Sequence, residues 1–267
     1  MKIAVSVDNH FDVNKLSVPE AITRISAYLM TQQPAGYFNA GDSFNDFTKS
    51  AAFYRDLQAH VPFPVRWLAG NHDLVNGVSY EIAQSHADPL YFHEQSLRIG
   101  KTVIIGNNGW YDYSLAPADL DKTDAEFTQW KQAYWIDGAI DQPVSDKQRM
   151  QRVLATTTQA LDDAKGQHVI YLTHFVPQKA LMIYAPGHSY WQMATAVMGS
   201  QHLGDLLNAR HVDSVVFGHL HKRHAPLTID HTTYYHQPMG YGLHRLNEWD
   251  SDDWFEQWRK TLVWLEV

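Results

Sequence analysis

The chain of 267 residues contains no cysteine. That excludes a disulfide framework and any thiolate-held zinc or iron–sulfur site, and it agrees with a reducing compartment. No apolar run approaches the ~18 residues of a membrane span. The opening "MKIAVSVDNHF" has one lysine and a short apolar run broken by Asp8, so it reads as a first strand and not as a leader peptide. Positive charge is also scarce. There are 21 lysines and arginines against 29 carboxylates, a net charge of −8 with histidine neutral. A domain that wraps extended nucleic acid carries a basic face, so this balance weighs against that partner. The motifs H-E-x-x-H, G-x-S-x-G and the Walker loop are missing, which removes several hydrolase and nucleotide-binding classes. These absences point to a cytoplasmic chain without a membrane partner and leave its oligomeric state open.

Histidine and tryptophan are plentiful instead, at 16 and 9. Short apolar runs bounded by turn residues recur: "KIAVSV" before Asp8, "AGYFNA" before Asp42, "PVRWLA" before Gly70, "TVIIG" before Asn107, "HVIYLT" before His174 and "SVVF" before Gly218. Such runs predict buried strands. Between them lie helix-like stretches, "SVPEAITRISAYLMTQ" with Ser17 as N-cap and Pro19 in the first turn, "DFTKSAAFYRDLQAH", and "SDKQRMQRVLATTTQALDDAKG" with a closing glycine. The alternation predicts an α/β protein, in which ligands gather where strands end. The tail adds strands in "APLTID", "TTYYHQP" and "TLVWLEV", with "NEWDSDDWFEQWRK" as a tryptophan-rich connection. The whole, 1–267, reads as one domain.

Nearly every strand end carries a metal-ligand type of side chain. In an extended chain residues i and i+2 share a side, so Asp8 with His10, and His219 with His221, are each placed to grip one ion. Asp42 offers a carboxylate able to bridge two cations, and Asn71 an amide oxygen. His72 follows as a possible proton donor. Taken singly, each is matched by a bland reading: a capping Asp, an Asx turn, a structural histidine. Together, Asp8, His10, Asp42, Asn71, His174, His219 and His221 make seven donors, more than one tetrahedral zinc takes. Carboxylate, amide and imidazole donors suit two divalent ions of the Mn, Fe, Zn or Ni kind. A pair ~3.5–4 Å apart is the arrangement that clamps both sides of a phosphorus in an in-line displacement.

In order, Asp8-x-His10, Gly41-Asp42-x-x-Asn45, Gly70-Asn71-His72-Asp73, His174 and Gly218-His219-x-His221 resemble the calcineurin-like metallophosphoesterases. The stretch "GNNGWYDYSL" and the tryptophan-rich tail are similar to a bacterial phosphoesterase subgroup within that family. The resemblance implies a four-layer α/β/β/α sandwich with a dimetal site at the strand ends. It assigns Asp8, His10 and His221 to one ion, Asn71, His174 and His219 to the other, and Asp42 to both. It places His72 beside the leaving group with Asn45 at the position that orients it, and Asp73 in the shell behind the ligands. Some members carry aspartate where this chain has Asn45, and a neutral amide cannot stabilise an imidazolium as a carboxylate would. The implied activity is phosphoric ester hydrolysis, with a metal-bridging hydroxide attacking the phosphorus of a small mono- or diester, nucleotides included.

Two segments are expected to shape the substrate site: a cap-like insertion around 108–165 and a second loop insertion around 176–203. Asn108 and Trp110 are expected at the rim because they follow a strand, with Tyr111, His188 and Tyr190 as further candidates for stacking or for binding phosphate. The competing expectation is that most of these aromatics fill a local core. His60, His86, His168 and His211 read as surface or structural. Two other functions compete: a nuclease acting on single strands, which the aromatics allow but no basic stripe supports, and a non-catalytic metal-binding scaffold, which would be expected to have lost ligands.

Overall fold

The computed structural model describes residues 1–85 and 88–267, so His86 lies outside the described residues. In chain order the elements are β1 (Lys2–Ser6), α1 (Val18–Gln32), β2 (Tyr37–Ala40), α2 (Phe47–Ala59), β3 (Val65–Leu68), α3 (Tyr80–Ala83), β4 (Gln95–Ile99), β5 (Thr102–Gly106) and α4 (Asp124–Tyr134). They continue with α5 (Asp146–Asp163), β6 (His168–Leu172), α6 (Ser189–Thr195), α7 (Gln201–Ala209), β7 (Ser214–Val216), β8 (Leu227–Ile229), β9 (Thr232–Tyr235), α8 (Trp254–Thr261) and β10 (Val263–Glu266).

The strands form two sheets, ordered β10-β1-β2-β3 and β4-β5-β6-β7-β9-β8. Pairing is parallel from β1 to β3 and from β5 through β6 and β7 to β9; β10, β4 and β8 run antiparallel at the edges. The sheets pack face to face. Ile3, Val5, Phe38 and Leu68 of the first meet Ile104, Ile170, Leu172 and Val216 of the second in one core. Ala4, Tyr37 and Trp67, one step out of phase, point to the helix side. Both faces are therefore buried, which is why these strands read as unbroken apolar runs without alternation. The helices bury stripes against the outer faces: α1 does so with Ala21, Ile22, Ile25 and Leu29, at the spacing of one helical face.

Asp46 caps α2 by accepting from the Lys49 N–H, and Ser145 closes a capping box on α5 with Gln148. Ser17 sits at the head of α1 but its side chain makes no cap bond, so Pro19 carries that start. The tryptophan-rich tail is more than a connection. It contains α8, whose Trp258 is fully buried beside Tyr28, Tyr37 and Phe255. Its aromatic spacing is the 3.6-residue period of one helical face, which a reading for composition alone passes over.

Between β5 and β6 the chain builds a buried ionic knot. Asp146 at the start of α5 takes both oxygens to Lys131 Nζ, each at 2.7 Å, and also accepts from Trp110 Nε1 at 2.9 Å and Gln142 Nε2 at 2.7 Å. Burial would raise the Asp146 pKa, but Lys131 and the surrounding donors hold it below the usual carboxylate value. A depressed value means the stabilisation is complete above the ordinary pKa and is lost as pH falls through the folded one. Asp146→Ala leaves the Lys131 ammonium buried without its hydrogen-bonded carboxylate, so urea unfolding at neutral pH is expected to show a loss of about 3–5 kcal/mol. The gap between the variant and the parent protein should narrow on acidification.

Candidate metal centre

All seven predicted donors leave strands at the same edge of the two sheets: Asp8 and His10 after β1, Asp42 after β2, Asn71 after β3, His174 after β6, His219 and His221 after β7. The pleat does not align them as expected. The backbone is left-handed at Asp8 (φ 52°), His10 (φ 43°), Asp42 (φ 57°) and His219 (φ 72°). Non-glycine residues rarely adopt this region, and such strain collects at functional sites. Tight turns just beyond the strands, and not i, i+2 alternation along them, aim these side chains inward. The neighbouring glycines allow close approach. A Cβ at Gly70 would lie 2.1 Å from Asp42 Oδ1, and one at Gly218 would lie 2.6 Å from Asp8 Oδ2.

The donors converge in two overlapping groups, Asp8–His10–Asp42–His221 and Asp42–His174–His219, each with its donor atoms within 4.8 Å of one another. Asp42 belongs to both: its Oδ2 is 3.7 Å from His10 Nε2 and 3.3 Å from His174 Nε2. Asn71 Oδ1 joins the second group at 3.2 Å from His174 Nε2. The tautomers follow from the outer contacts. His174 Nδ1 meets the carbonyl of Ala40 at 3.0 Å, and His221 Nδ1 meets Glu248 Oε2 at 3.0 Å. Carbonyl and carboxylate oxygens accept, so both Nδ1 atoms carry hydrogen and both Nε2 lone pairs face inward. His221 Nε2 then opposes His10 Nε2 at 3.1 Å, and His174 Nε2 opposes Asn71 Oδ1. With His174 neutral, its Nε2 faces the Asn71 oxygen acceptor to acceptor, while His10, whose Nδ1 has no hydrogen-bond partner among the described residues, can turn either a lone pair or an N–H toward His221. Asp8 Oδ2 and His219 Nε2 are buried with no hydrogen-bond partner among the described residues. Converging lone pairs of this kind need a cation or a proton between them, and the donor types fit divalent ions.

The titration of the cluster reflects the same shortage of positive charge. Burial pushes Asp8 up to about 6, with His221 and His174 opposing it. Asp42 is held well below the usual range: burial would raise it, but His174, His72 and His10 prevail. His174 moves to about 9 because Asp42 outweighs the effect of burial. Burial drives His10 and His219 well below their usual value, so both are neutral with lone pairs available. Without a cation, the proton of His174 balances Asp42.

His72 lies just outside. Its Nδ1 is 2.7 Å from Asn45 Oδ1, its N–H donates to Asp42 Oδ1, and its ring stands edge-on to His10 at 4.7 Å. Burial lowers its pKa and Asp42 works against that. Asp73 does not face His72. It accepts from the backbone N–H groups of Asp42, Ser43, Phe44 and Gly70 and so ties the two loops together. Burial and Asp42 raise it to about 7.

Three groups at the site escaped the sequence reading. Glu248 orients His221. Tyr241 packs its ring 4.6 Å from His10 and 4.5 Å from His221, with its hydroxyl 3.4 Å from His72 Nε2. Asp137 accepts from Asn71 Nδ2 at 2.7 Å; burial pushes it up to about 7 against the Asn71 bond and Lys131. None sits in a motif block, and each reaches the site only through tertiary folding.

The expected rim is mostly interior. Asn108 donates to the Tyr91 hydroxyl and accepts from the Ala69 N–H, which fastens β3 to β5. Trp110 and Tyr111 are fully buried and stacked on each other against Phe175, with the Arg149 guanidinium 3.5 Å from the Trp110 ring centre. A residue that follows a strand is exposed only if nothing covers that end, and here Asp146 and Arg149 of α5 and Phe175 lie against Trp110. His188 is exposed at the head of α6, 6.5 Å from Trp191, and Tyr190 packs on Trp130 at 5.2 Å.

The profile of the family described as calcineurin-like phosphoesterase matches residues 1–223. Among solved structures the chain is similar to a phosphopantetheinyl hydrolase of Mycobacterium tuberculosis, at TM-score 0.69 and 18% identity over 95% of this chain and 94% of that one. It is similar to a protein of Thermus thermophilus, at TM-score 0.53 and 14% identity over 89% and 88% of the two chains. A dimetal phosphatase from Danio rerio gives TM-score 0.51 and 10% identity over 89% and 87%. At these identities the likeness is one of fold. A search of curated protein sequences found no match.

Proposed function

Starting from the calcineurin-like phosphoesterase family, to which this chain belongs, we propose that this metallophosphoesterase hydrolyses a small phosphomonoester or phosphodiester across two divalent cations. Asp8, His10 and His221 would hold one ion, Asn71, His174 and His219 the other, and Asp42 would be shared between them. The carrying observation is the convergence of donor atoms, His10 Nε2 on His221 Nε2 and His174 Nε2 on Asn71 Oδ1, with Asp42 between them. Cations bound there supply Lewis acidity to the phosphoryl oxygens and lower the pKa of water.

The chain's own residues do the rest. Asp42, Asp8 and the neutral imidazoles fix the position of charge so that no reorganisation is needed as charge develops. One water and one phosphoester become an alcohol and either phosphate, from a monoester, or a phosphomonoester, from a diester: the water oxygen forms a P–O bond, the ester P–O bond breaks, and the leaving oxygen takes a proton equivalent to the one the water gives up. His72 is the group for that proton. Asn45 holds its Nδ1–H, leaving Nε2 directed at the site beside the Tyr241 hydroxyl. Glu248, bound to His221 Nδ1, keeps that ring turned inward. We read the 108–165 and 176–203 segments as covers over the site within a single domain. No helix among the described residues is long and apolar enough to cross a membrane.

The test is a screen with Mn, Fe, Zn, Ni and Mg supplied in turn. It covers phosphomonoesters, cyclic nucleotides, other small diesters, a phosphopantetheine conjugate suggested by the M. tuberculosis neighbour, and single-stranded DNA. Metal-dependent release of phosphate or alcohol from a small ester is expected. Cleavage of DNA alone would overturn the small-molecule reading, and inertness of metal-loaded protein toward the whole panel would overturn the activity.

A further inference from the structure

We propose that Asp137, delivered by the segment between β5 and β6, is a positioning residue that locks the Asn71 side-chain amide in the one orientation able to bind a cation. The proposal rests on the assignment of Asn71 as a ligand.

An asparagine amide has nearly the same shape either way round, so its neighbours must decide which end faces where. On one side Asn71 Oδ1 lies 3.2 Å from His174 Nε2, inside the second donor group. On the other, Nδ2 donates to Asp137 Oδ1 at 2.7 Å. An ionised carboxylate only accepts. Reversing the amide would set its oxygen against Asp137 and its NH2 into the cation site, so the reversed state loses a bond on one side and puts a donor where a cation belongs. A proton on the far oxygen of Asp137 leaves the accepting oxygen in place.

The residue is 2% exposed, and a carboxylate is buried so fully at a cost unless it has a specific partner. Its delivery is also specific. Thr123 and Glu126 form a capping box at the head of α4, which ends at Tyr134. Trp135 is extended (φ −117°, ψ 144°) and breaks the helix, and the 3-10 turn Ile136–Ala139 then carries Asp137 inward. That turn lies close against α4: a Cβ at Gly138 would be 2.8 Å from the Gln132 Cα. The insertion therefore reaches a side chain of the Gly70–Asp73 block, 66 residues away in sequence.

The experiment titrates Mn²⁺ into metal-free protein by calorimetry, with competition against a chelator, for the parent chain, Asp137→Asn, Asp137→Ala, Asn71→Ala and the double variant Asn71→Ala/Asp137→Ala. The asparagine substitution keeps size and shape but lets the pair bond in either direction. It is expected to weaken one of the two sites by about 10–100-fold and leave the other unchanged. In the double variant Asp137 has no amide left to orient, so its removal adds nothing to the loss caused by Asn71→Ala. Unaltered affinities in Asp137→Asn, equal weakening of both sites, or additive losses in the double variant would overturn the proposal. A general structural role would instead lower the thermal midpoint of the metal-free protein with both affinities intact. If Asn71→Ala itself left both affinities unchanged, the ligand assignment would fail first and the proposal with it.

Discussion

Asp42→Ala is expected to strip the centre of its paired cations and to reduce turnover by at least ~10³-fold, the scale set by losing a single preorganised electrostatic group. The reason is its position. Among the described residues Asp42 is the only carboxylate shared by both donor groups, and its Oδ2 lies within 3.7 Å of imidazole nitrogens from each. Its charge also holds the proton on His174 when no cation is bound. Removing it leaves no anion shared by the two groups and only Asp8 beside the first, so two positive ions so close together would repel with little screening between them. The check is metal content by elemental analysis after reconstitution and gel filtration. Occupancy of two ions per chain in the variant would contradict the bridging assignment.

His72→Ala is expected to lower kcat by about 10²-fold, the weaker end of general acid–base effects, while metal content stays at the parent level. The weaker end follows from Asn45: a neutral amide holds Nδ1–H but adds no charge to favour the imidazolium, and burial disfavours it further. The loss should depend on the leaving group. An ester of an acidic phenol departs without a proton, so the parent and the variant should differ little on it and widely on an alkyl ester. Asn45→Asp brings a carboxylate to Nδ1 and raises the His72 pKa, so the limb of the kcat profile that reports a protonated His72 should extend to higher pH. Metal lost together with His72, or equal loss on both leaving groups, would make it a structural residue.

Much of the candidate site was legible in the sequence because donor side chains at strand ends fall into short local blocks. Gly70-Asn71-His72-Asp73 and Gly218-His219-x-His221 each combine a candidate ligand with the glycine that lets the chain come close, so one reading of the residues singled out both. The physical reason offered for the pairs was only partly right: Asp8, His10 and His219 converge through left-handed backbone, which Asp and His enter more often than most residues but too seldom for residue type to announce it. Asp73 stands behind the candidate ligands, where it accepts from the backbone of Asp42 and Ser43 and ties the loops together. The rim assignment for Asn108, Trp110 and Tyr111 failed because exposure depends on what folds over a strand end, and the covering segment carries no pattern that says where it will lie.

The sequence by itself determined the donors and their order, the two-sided burial of the strands, and the family, since each depends on residue type and on neighbours within a few positions. Only the tertiary structure decided that Glu248, Tyr241 and Asp137 stand around those donors, for they come from segments distant in the chain. A hydrogen bond such as the one from Asn71 to Asp137 is set by the packing of whole elements to within a fraction of an ångström. Nothing in the residues between the two partners encodes that distance.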